Sequence, residues 1–428
     1  MKNIIERNKD KMIKDVLDIV SIESVHAEKL EGMPNGEKVN EALEHILKLG
    51  ESYGFKTKNI KGHAGVIEYG EGEEYVAVLG HLDVVPLGEG WKYNPLGEIV
   101  EDKIYGRGTM DDKGPMIAAL HGLIAIKEMN LPLKHRIRLI FGTSEEIGGP
   151  DIENYLKHEK GPIMGFTPDA EFPAIHAEMG ILVLRISKDI TNKNNLEIKG
   201  GEAVNMVPEK ASISYDIDGK RFEKSYKGVS AHGSTPHLGE NAITKLLKDI
   251  DSFNIDETIK DSLREISYNL CYDLDGKVMG IDFEDESGKL VLNTGIISLK
   301  DNKLDVDINI RYPVTYKKDD VVPKIEKIFK DKGFDFRVVT SDKPLYYKKD
   351  DKLIQKLMKV YVDETGDERE AIAIGGGTYA KAMKNVVAFG PQLPGRPDVI
   401  HQLDEYILIE DLVLCANIYG RSMIELSK

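Results

Sequence analysis

The sequence predicts an α/β protein whose helix-flanked sheet is interrupted by an inserted α+β domain. Three observations carry this. Helical and strand-like patterns alternate from the N-terminus to about residue 186. The stretch "SKDITNKNN", from Ser187, then changes the texture to one dominated by strand patterns, and after Pro344 the first texture returns. With 428 residues, two domains are the natural expectation. The predicted division is a first part at 1–186, an insertion at 187–342, and a second part at 343–428 that completes the first sheet.

Taken in order, the opening segment places Ile4, Ile5, Met12, Val16, Leu17 and Val20 at helical spacing between charges, as an amphipathic surface helix does. A second helix is predicted from Asn40 to Tyr53, followed by strands in "AGVIEYG" and "YVAVLGHLDVVP". Val76, Val78 and Leu79 form the nearly continuous apolar run of a strand buried on both faces. A turn-rich segment reaches Gly108, and Pro115 suits the first turn of the helix after it. "RLIFG" is the next strand. In the insertion, "KASISYDIDGKRFEKSYKG" and "LDVDINIRYPV" read as strands, with helices in "GENAITKLLKDI" and "VVPKIEKIFKDKG". The last part holds the helix "KLIQKLMKVYVDETG", the glycine-rich "IGGGTYA", the strand "NVVAFG", and a closing helix from about Ile409.

Composition narrows the function classes. The formal net charge of -15 argues against nucleic acid or an anionic membrane as partner. Cys271 and Cys415 are the two cysteines, too few for a disulfide framework or a thiolate zinc site, which fits a reducing cytoplasm. No stretch has the pattern of a signal peptide or a membrane span. The expected protein is cytoplasmic.

Five short stretches carry candidate chemistry. His81 and Asp83 follow the buried strand; as residues i and i+2 they share a face, at the strand end where α/β sheets gather ligands. Asp111, Asp112 and Lys113 stand before a helix, where acids also serve as simple caps. Glu145 and Glu146 follow "RLIFGTS", and a solvated turn would look the same. On a continuing strand their side chains would point apart; Gly142 and Ser144 suggest that the strand has already ended. Asp169 and Glu171 lie between prolines, and His401 lies in a Pro/Gly loop. Singly each has a bland reading. Together, imidazoles and carboxylates without thiolate make a ligand set for zinc, cobalt or manganese. A pair of ions needs a bridging carboxylate, and a hydrolase needs a general base, which one of Glu145 and Glu146 can supply.

In order, "GHLDVVP", "GRGTMDDKGP", "TSEEIGG", "TPDAEFP", "NMVPEKA", "GVSAHGSTPHLGENA" and "GRPDVIHQ" resemble the co-catalytic zinc aminopeptidase/carboxypeptidase family that includes aminoacylase and succinyl-diaminopimelate desuccinylase. Within it the chain looks most like the dipeptidase V branch. The likeness covers nearly the whole chain and is weakest from Ser252 to Lys289. It implies a zinc-exopeptidase-like catalytic domain with a mixed sheet, and an inserted lid. It also implies two divalent ions, zinc first, with manganese or cobalt as alternatives. By resemblance His81 and Asp169 bind one ion, Glu146 and His401 the other, and Asp111, followed by a cis peptide, bridges them. Asp83 orients His81, and Glu145 is the general base acting on a water held between the ions. His232 stabilises the oxyanion, Asn205 and Arg311 hold the substrate, with Arg311 suited to a bidentate grip on its C-terminal carboxylate, and the loop of Gly376 and Gly377 offers backbone N–H groups to that carboxylate. The implied reaction is hydrolysis of a small peptide, a dipeptide's amide bond. The alternatives are an N-acyl amino acid deacylase or desuccinylase-type amidohydrolase and, more remotely, a catalytically silent metal-dependent binding protein. The length of the insertion points to a monomer, with a dimer through the lid as the alternative.

Overall fold

The computed structural model describes residues 1–192 and 195–428. The chain divides into two compact units. One comprises Met1–His176, Tyr347–Ile372 and Thr378–Lys428; the other comprises Ala177–Tyr346 with Ala373–Gly377.

The first unit is built on a six-stranded mixed sheet, in the order Lys56–Ile60, Ala64–Tyr69, Arg136–Gly142, Tyr75–His81, Met164–Thr167, Val386–Ala388. The first three strands run antiparallel, and from Arg136–Gly142 onward neighbours are parallel. Every residue of Tyr75–His81 is buried, as its unbroken apolar run requires. The register sets His81 beside Gly142, so the carboxyl ends of these two strands are level.

Helix Lys113–Met129 begins directly after Asp112 and ends where Asn130 turns left-handed at φ 49°. It is apolar all round and buried from Lys113 to Ile126, the signature of a core helix rather than a surface one. Its first turn lies so close to the His81 strand that a Cβ on Gly80 would run into the Asp112 carboxylate and Met116. Only glycine fits there. On the opposite face, Gly142 leaves room for Tyr379. No helix among the described residues is long and apolar enough to cross a membrane.

The second unit is a seven-stranded antiparallel sheet, in the order Lys220–Lys227, Lys210–Ile217, Glu197–Gly200, Val291–Lys300, Lys303–Tyr312, Gly180–Asp189, Asp335–Asp342. One face carries the core: Leu182, Leu184, Val306, Ile308 and Ile310 pack with Leu263 and Ile266 of helix Glu257–Leu270 and Ile325 and Phe329 of helix Lys318–Asp331. The motif-poor stretch 252–289 thus supplies core. On the other side of Lys303–Tyr312, Asp305, Asp307, Asn309 and Arg311 alternate with that core.

The division differs from the sequence expectation at three places, one of them the return to the first unit, at Tyr346/Tyr347 instead of 342/343. The unit changes at His176/Ala177 instead of 186/187, because Gly180–Asp189 pairs along its whole length with Lys303–Tyr312. Its burial alternates residue by residue, but Ile181 and Val183 on its outer face make the run look doubly buried in sequence. The glycines at 375–377 belong to the second unit too.

Candidate active site

The carboxyl ends of three neighbouring parallel strands converge, and each continues into one of the predicted stretches. His81 closes its strand, Thr143-Ser144-Glu145-Glu146 follows Gly142, and Asp169 follows Thr167. The strand indeed ends at Gly142, so the adjacent glutamates escape strand alternation. Asp111 and His401 arrive on loops. The Asp111–Asp112 peptide is cis.

Asp111 is the centre of the constellation. Its Oδ1 lies 3.0 Å from His81 Nε2, and its Oδ2 lies 3.0 Å from His401 Nε2. His81 Nε2 is also 3.7 Å from Asp169 Oδ1, and His401 Nε2 is 3.1 Å from Glu146 Oε2. One carboxylate therefore divides its two oxygens between two separate imidazole–carboxylate pairs. Ligand atoms of His81, Asp111 and Glu146 lie within 4.8 Å of one another, as do those of His81, Glu145 and Asp169. Distance alone thus leaves Glu145 among the candidate ligands. What separates the glutamates is bonding: Glu146 engages His401, whereas the Glu145 carboxylate has no hydrogen bond to either imidazole.

Two buried carboxylates hold the glutamate loop by its backbone. Asp151 Oδ2 accepts the N–H groups of Thr143 at 2.7 Å and Ser144 at 2.8 Å, together with the Tyr379 hydroxyl at 2.7 Å. Asp83 accepts the next two, Glu145 N–H on Oδ1 and Glu146 N–H on Oδ2, both at 3.1 Å. Four successive N–H groups are thereby fixed. Asp83 relates to His81 through a different bond from the one expected. His81 Nδ1 donates to the Asp83 backbone carbonyl at 2.9 Å, while the carboxylate oxygen stands 3.6 Å away. That backbone bond places a proton on Nδ1 and turns Nε2 towards Asp111.

The buried carboxylates and imidazoles perturb one another strongly. Burial, then the Asp169 charge, pushes Glu145 well above the usual carboxylate range. Burial and Asp111 push Asp169 up to about 7. Hydrogen bonds to Asp111 and Glu146 push the His401 imidazole up to about 10. For Asp111, burial acts upward, but the bonds from His401 and His81 outweigh it and hold the acid well below its ordinary value. The donors are hard-to-borderline nitrogens and oxygens, negative charge is in surplus, and one acid faces two imidazoles. This set fits a pair of divalent cations held by His81, Asp169, Asp111, Glu146 and His401.

The second unit gathers its own polar group. Gly233 N–H donates to the Asn205 carbonyl at 2.6 Å, and Asn293 Nδ2 donates to the carbonyls of Val204 and Met206. Asn205 and the exposed His232 are thus neighbours. Ser234 N–H points at His232 Nδ1 at 3.3 Å, with the Ser234 hydroxyl at 2.6 Å; an accepting Nδ1 puts the ring proton on Nε2. Arg311 is buried, with Nε donating to Asn309 Oδ1 at 2.8 Å and Nη1 to the Gly375 carbonyl at 3.2 Å. Neither partner is charged, and burial lowers the guanidinium to about 10. Gly376 and Gly377 continue from Gly375.

The model of peptidase family M20/M25/M40 matches residues 77–425. The chain belongs to peptidase family M20. It is 38% identical over 462 residues to a Bacillus subtilis protein named "putative dipeptidase", covering 99% of this chain and 98% of that one. A "putative dipeptidase" of Staphylococcus epidermidis is 34% identical, with 96% of each chain covered. Human carnosine dipeptidase 1 shares the fold, with a TM-score of 0.64 at 14% identity over 100% of this chain and 98% of that one. This M20 chain is a peptide-bond hydrolase.

Sequence reasoning missed the residues that hold these groups in place: Asp151, Tyr379 and Glu405 in the first unit, and Asn293 and Asn309 in the second. Asp151 reads as an ordinary acid at a helix start and Glu405 as one more acid in a loop. Their one local signal is proximity to a motif, and most of what Asp151, Glu405 and Asn293 grip is backbone, which has no residue-type signature.

Proposed function

We propose that this M20 peptidase is a metal-dependent dipeptidase. The observation that carries the reading is the Asp111 carboxylate shared between His81 and His401. In this reading His81, Asp169 and Asp111 would hold one divalent ion, zinc first, and Asp111, Glu146 and His401 would hold the second. When bound, the two cations supply Lewis-acid polarisation of the scissile carbonyl and acidify the attacking water.

Glu145 takes the proton from that water and later returns it to the departing amine. Its environment supports the role, since burial beside Asp169 raises its affinity for a proton. Asp83 fixes the backbone on which Glu145 stands. His232, with its proton on Nε2, donates to the oxyanion. Arg311 offers a buried guanidinium without a carboxylate partner in its hydrogen bonds, suited to the terminal carboxylate of a dipeptide, and Asn205, Gly376 and Gly377 complete that grip.

Glu145→Gln tests the core of this. It should lower kcat by about 10²–10⁴-fold, the worth of a general base, with metal content unchanged. Near-normal turnover would remove Glu145 from the role. Assaying the unaltered enzyme on dipeptides against N-acetyl amino acids tests the substrate class, and a preference for the acyl compounds would favour a deacylase.

A further inference from the structure

Glu405 is fully buried and stands four residues beyond His401. Its Oε1 accepts the backbone N–H groups of Gly108 at 3.0 Å, Met110 at 2.9 Å and Asp111 at 3.3 Å. Its Oε2 accepts Arg107 Nη1 at 2.7 Å, and its backbone carbonyl accepts Gly106 N–H at 2.9 Å. The neighbouring Asp404 Oδ1 takes the N–H groups of Lys92 and Tyr93.

The two loops so joined are ones that local preference would not hold. Gly106 and Gly108 have φ of 147° and 92°, and His401 and Asp404 sit left-handed at φ 60° and 57°. A non-glycine residue persists there only where surrounding contacts impose it. One loop presents Asp111 and the other presents His401, nearly three hundred residues apart in sequence. A three-donor grip on backbone by one carboxylate ties them together, so the distance between the shared acid and the second imidazole depends on Glu405.

We propose that Glu405 is a positioning residue for the metal centre, setting Asp111 against His401 by holding the Asp111 backbone from within the His401 loop. This rests on the metal-dependent reading above. The role belongs to Oε1, the acceptor of all three backbone bonds, while Oε2 and Arg107 balance charge. In Glu405→Gln the amide oxygen can replace Oε1, but the amide NH2 then faces the Arg107 guanidinium, two donors in opposition. Removing the guanidinium as well should restore the grip.

The test is metal titration of full-length metal-free protein with Co(II), read by calorimetry and by the visible absorption of the bound ion, with thermal unfolding of each metal-free variant alongside. Glu405→Gln is expected to bind about 10–100-fold more weakly, as loss of an outer partner of a metal ligand does, with a changed Co(II) spectrum. Arg107→Met/Glu405→Gln is expected to recover the affinity and the spectrum of Arg107→Met. Wild-type affinity and spectrum in Glu405→Gln would overturn the assignment. So would a fall in unfolding temperature with no spectral change, which is what a merely structural residue produces. If Glu405→Gln alone does not fold, a double variant that folds and matches Arg107→Met supports the proposal, and one that folds yet binds weakly overturns it. Failure of the wild-type chain to take up metal would instead sink the metal-dependent reading itself.

Discussion

Asp151→Ala should expose how much the glutamate loop depends on a residue that never faces the substrate. Asp151 is 1% exposed, and Thr143 and Ser144 are 0% exposed. Deleting the carboxylate strands three buried donors: the N–H groups of Thr143 and Ser144 and the Tyr379 hydroxyl. The fourth, Ile152 N–H, opens a helix and is the easiest to satisfy otherwise. Each stranded buried donor costs about 1–3 kcal/mol, and partial repair by water brings the sum to roughly 3–6 kcal/mol. Tyr379→Phe removes a donor without stranding one, so about 1 kcal/mol is expected. The double variant should therefore cost less than the two single losses added together. Urea unfolding of the metal-free protein measures the stabilities. Because Glu145 and Glu146 follow directly on the freed loop, kcat should fall by about 10²-fold, the effect of a shift of about 1 Å at a reacting group. A loss below about 1 kcal/mol with kcat unchanged would refute the clamp.

His232→Gln is expected to lower kcat by about 10²–10³-fold with little change in KM, since an oxyanion donor acts mainly in the transition state. Steady-state kinetics on a dipeptide decide it, and a pure KM effect would contradict the role. Arg311→Lys should raise KM for dipeptides but leave dipeptide amides, which lack the terminal carboxylate, nearly unaffected; equal losses on both would refute the carboxylate grip. For His401, the metal-free folded imidazole is raised to about 10 from an ordinary 6.5. The folded state then binds the proton more tightly, so this contribution to stability is whole below about pH 6.5 and is lost as pH rises towards 10. The metal-free chain should lose thermal stability across that window, and His401→Gln should flatten the loss. In the proposed reading metal displaces the same proton, so affinity should climb over that range, with proton release visible as a dependence of the calorimetric heat on buffer. A pH-independent metal affinity would contradict this.

The sequence by itself determined where imidazoles and carboxylates follow apolar runs and how the chain alternates between two textures. The ligand stretches are legible because each is short and contiguous and sits where an apolar run stops. "YVAVLGHLD" declares a buried strand ending in an imidazole, and "LIFGTSEE" declares a strand that ends before its acids. Strand order, the level ends of His81 and Gly142, and the division of Asp111 between two imidazoles were decided by tertiary structure alone. The same holds for the Asp83 carboxylate, which grips the Glu145 and Glu146 backbone, and for the boundary at Ala177, where ten paired residues outweigh a change of texture ten residues later. The physical reason is plainest for the loop clamps. A ligand is recognised by its side-chain chemistry, which is written in the residue, whereas the groups that aim it bond to backbone N–H, which nearly every residue carries.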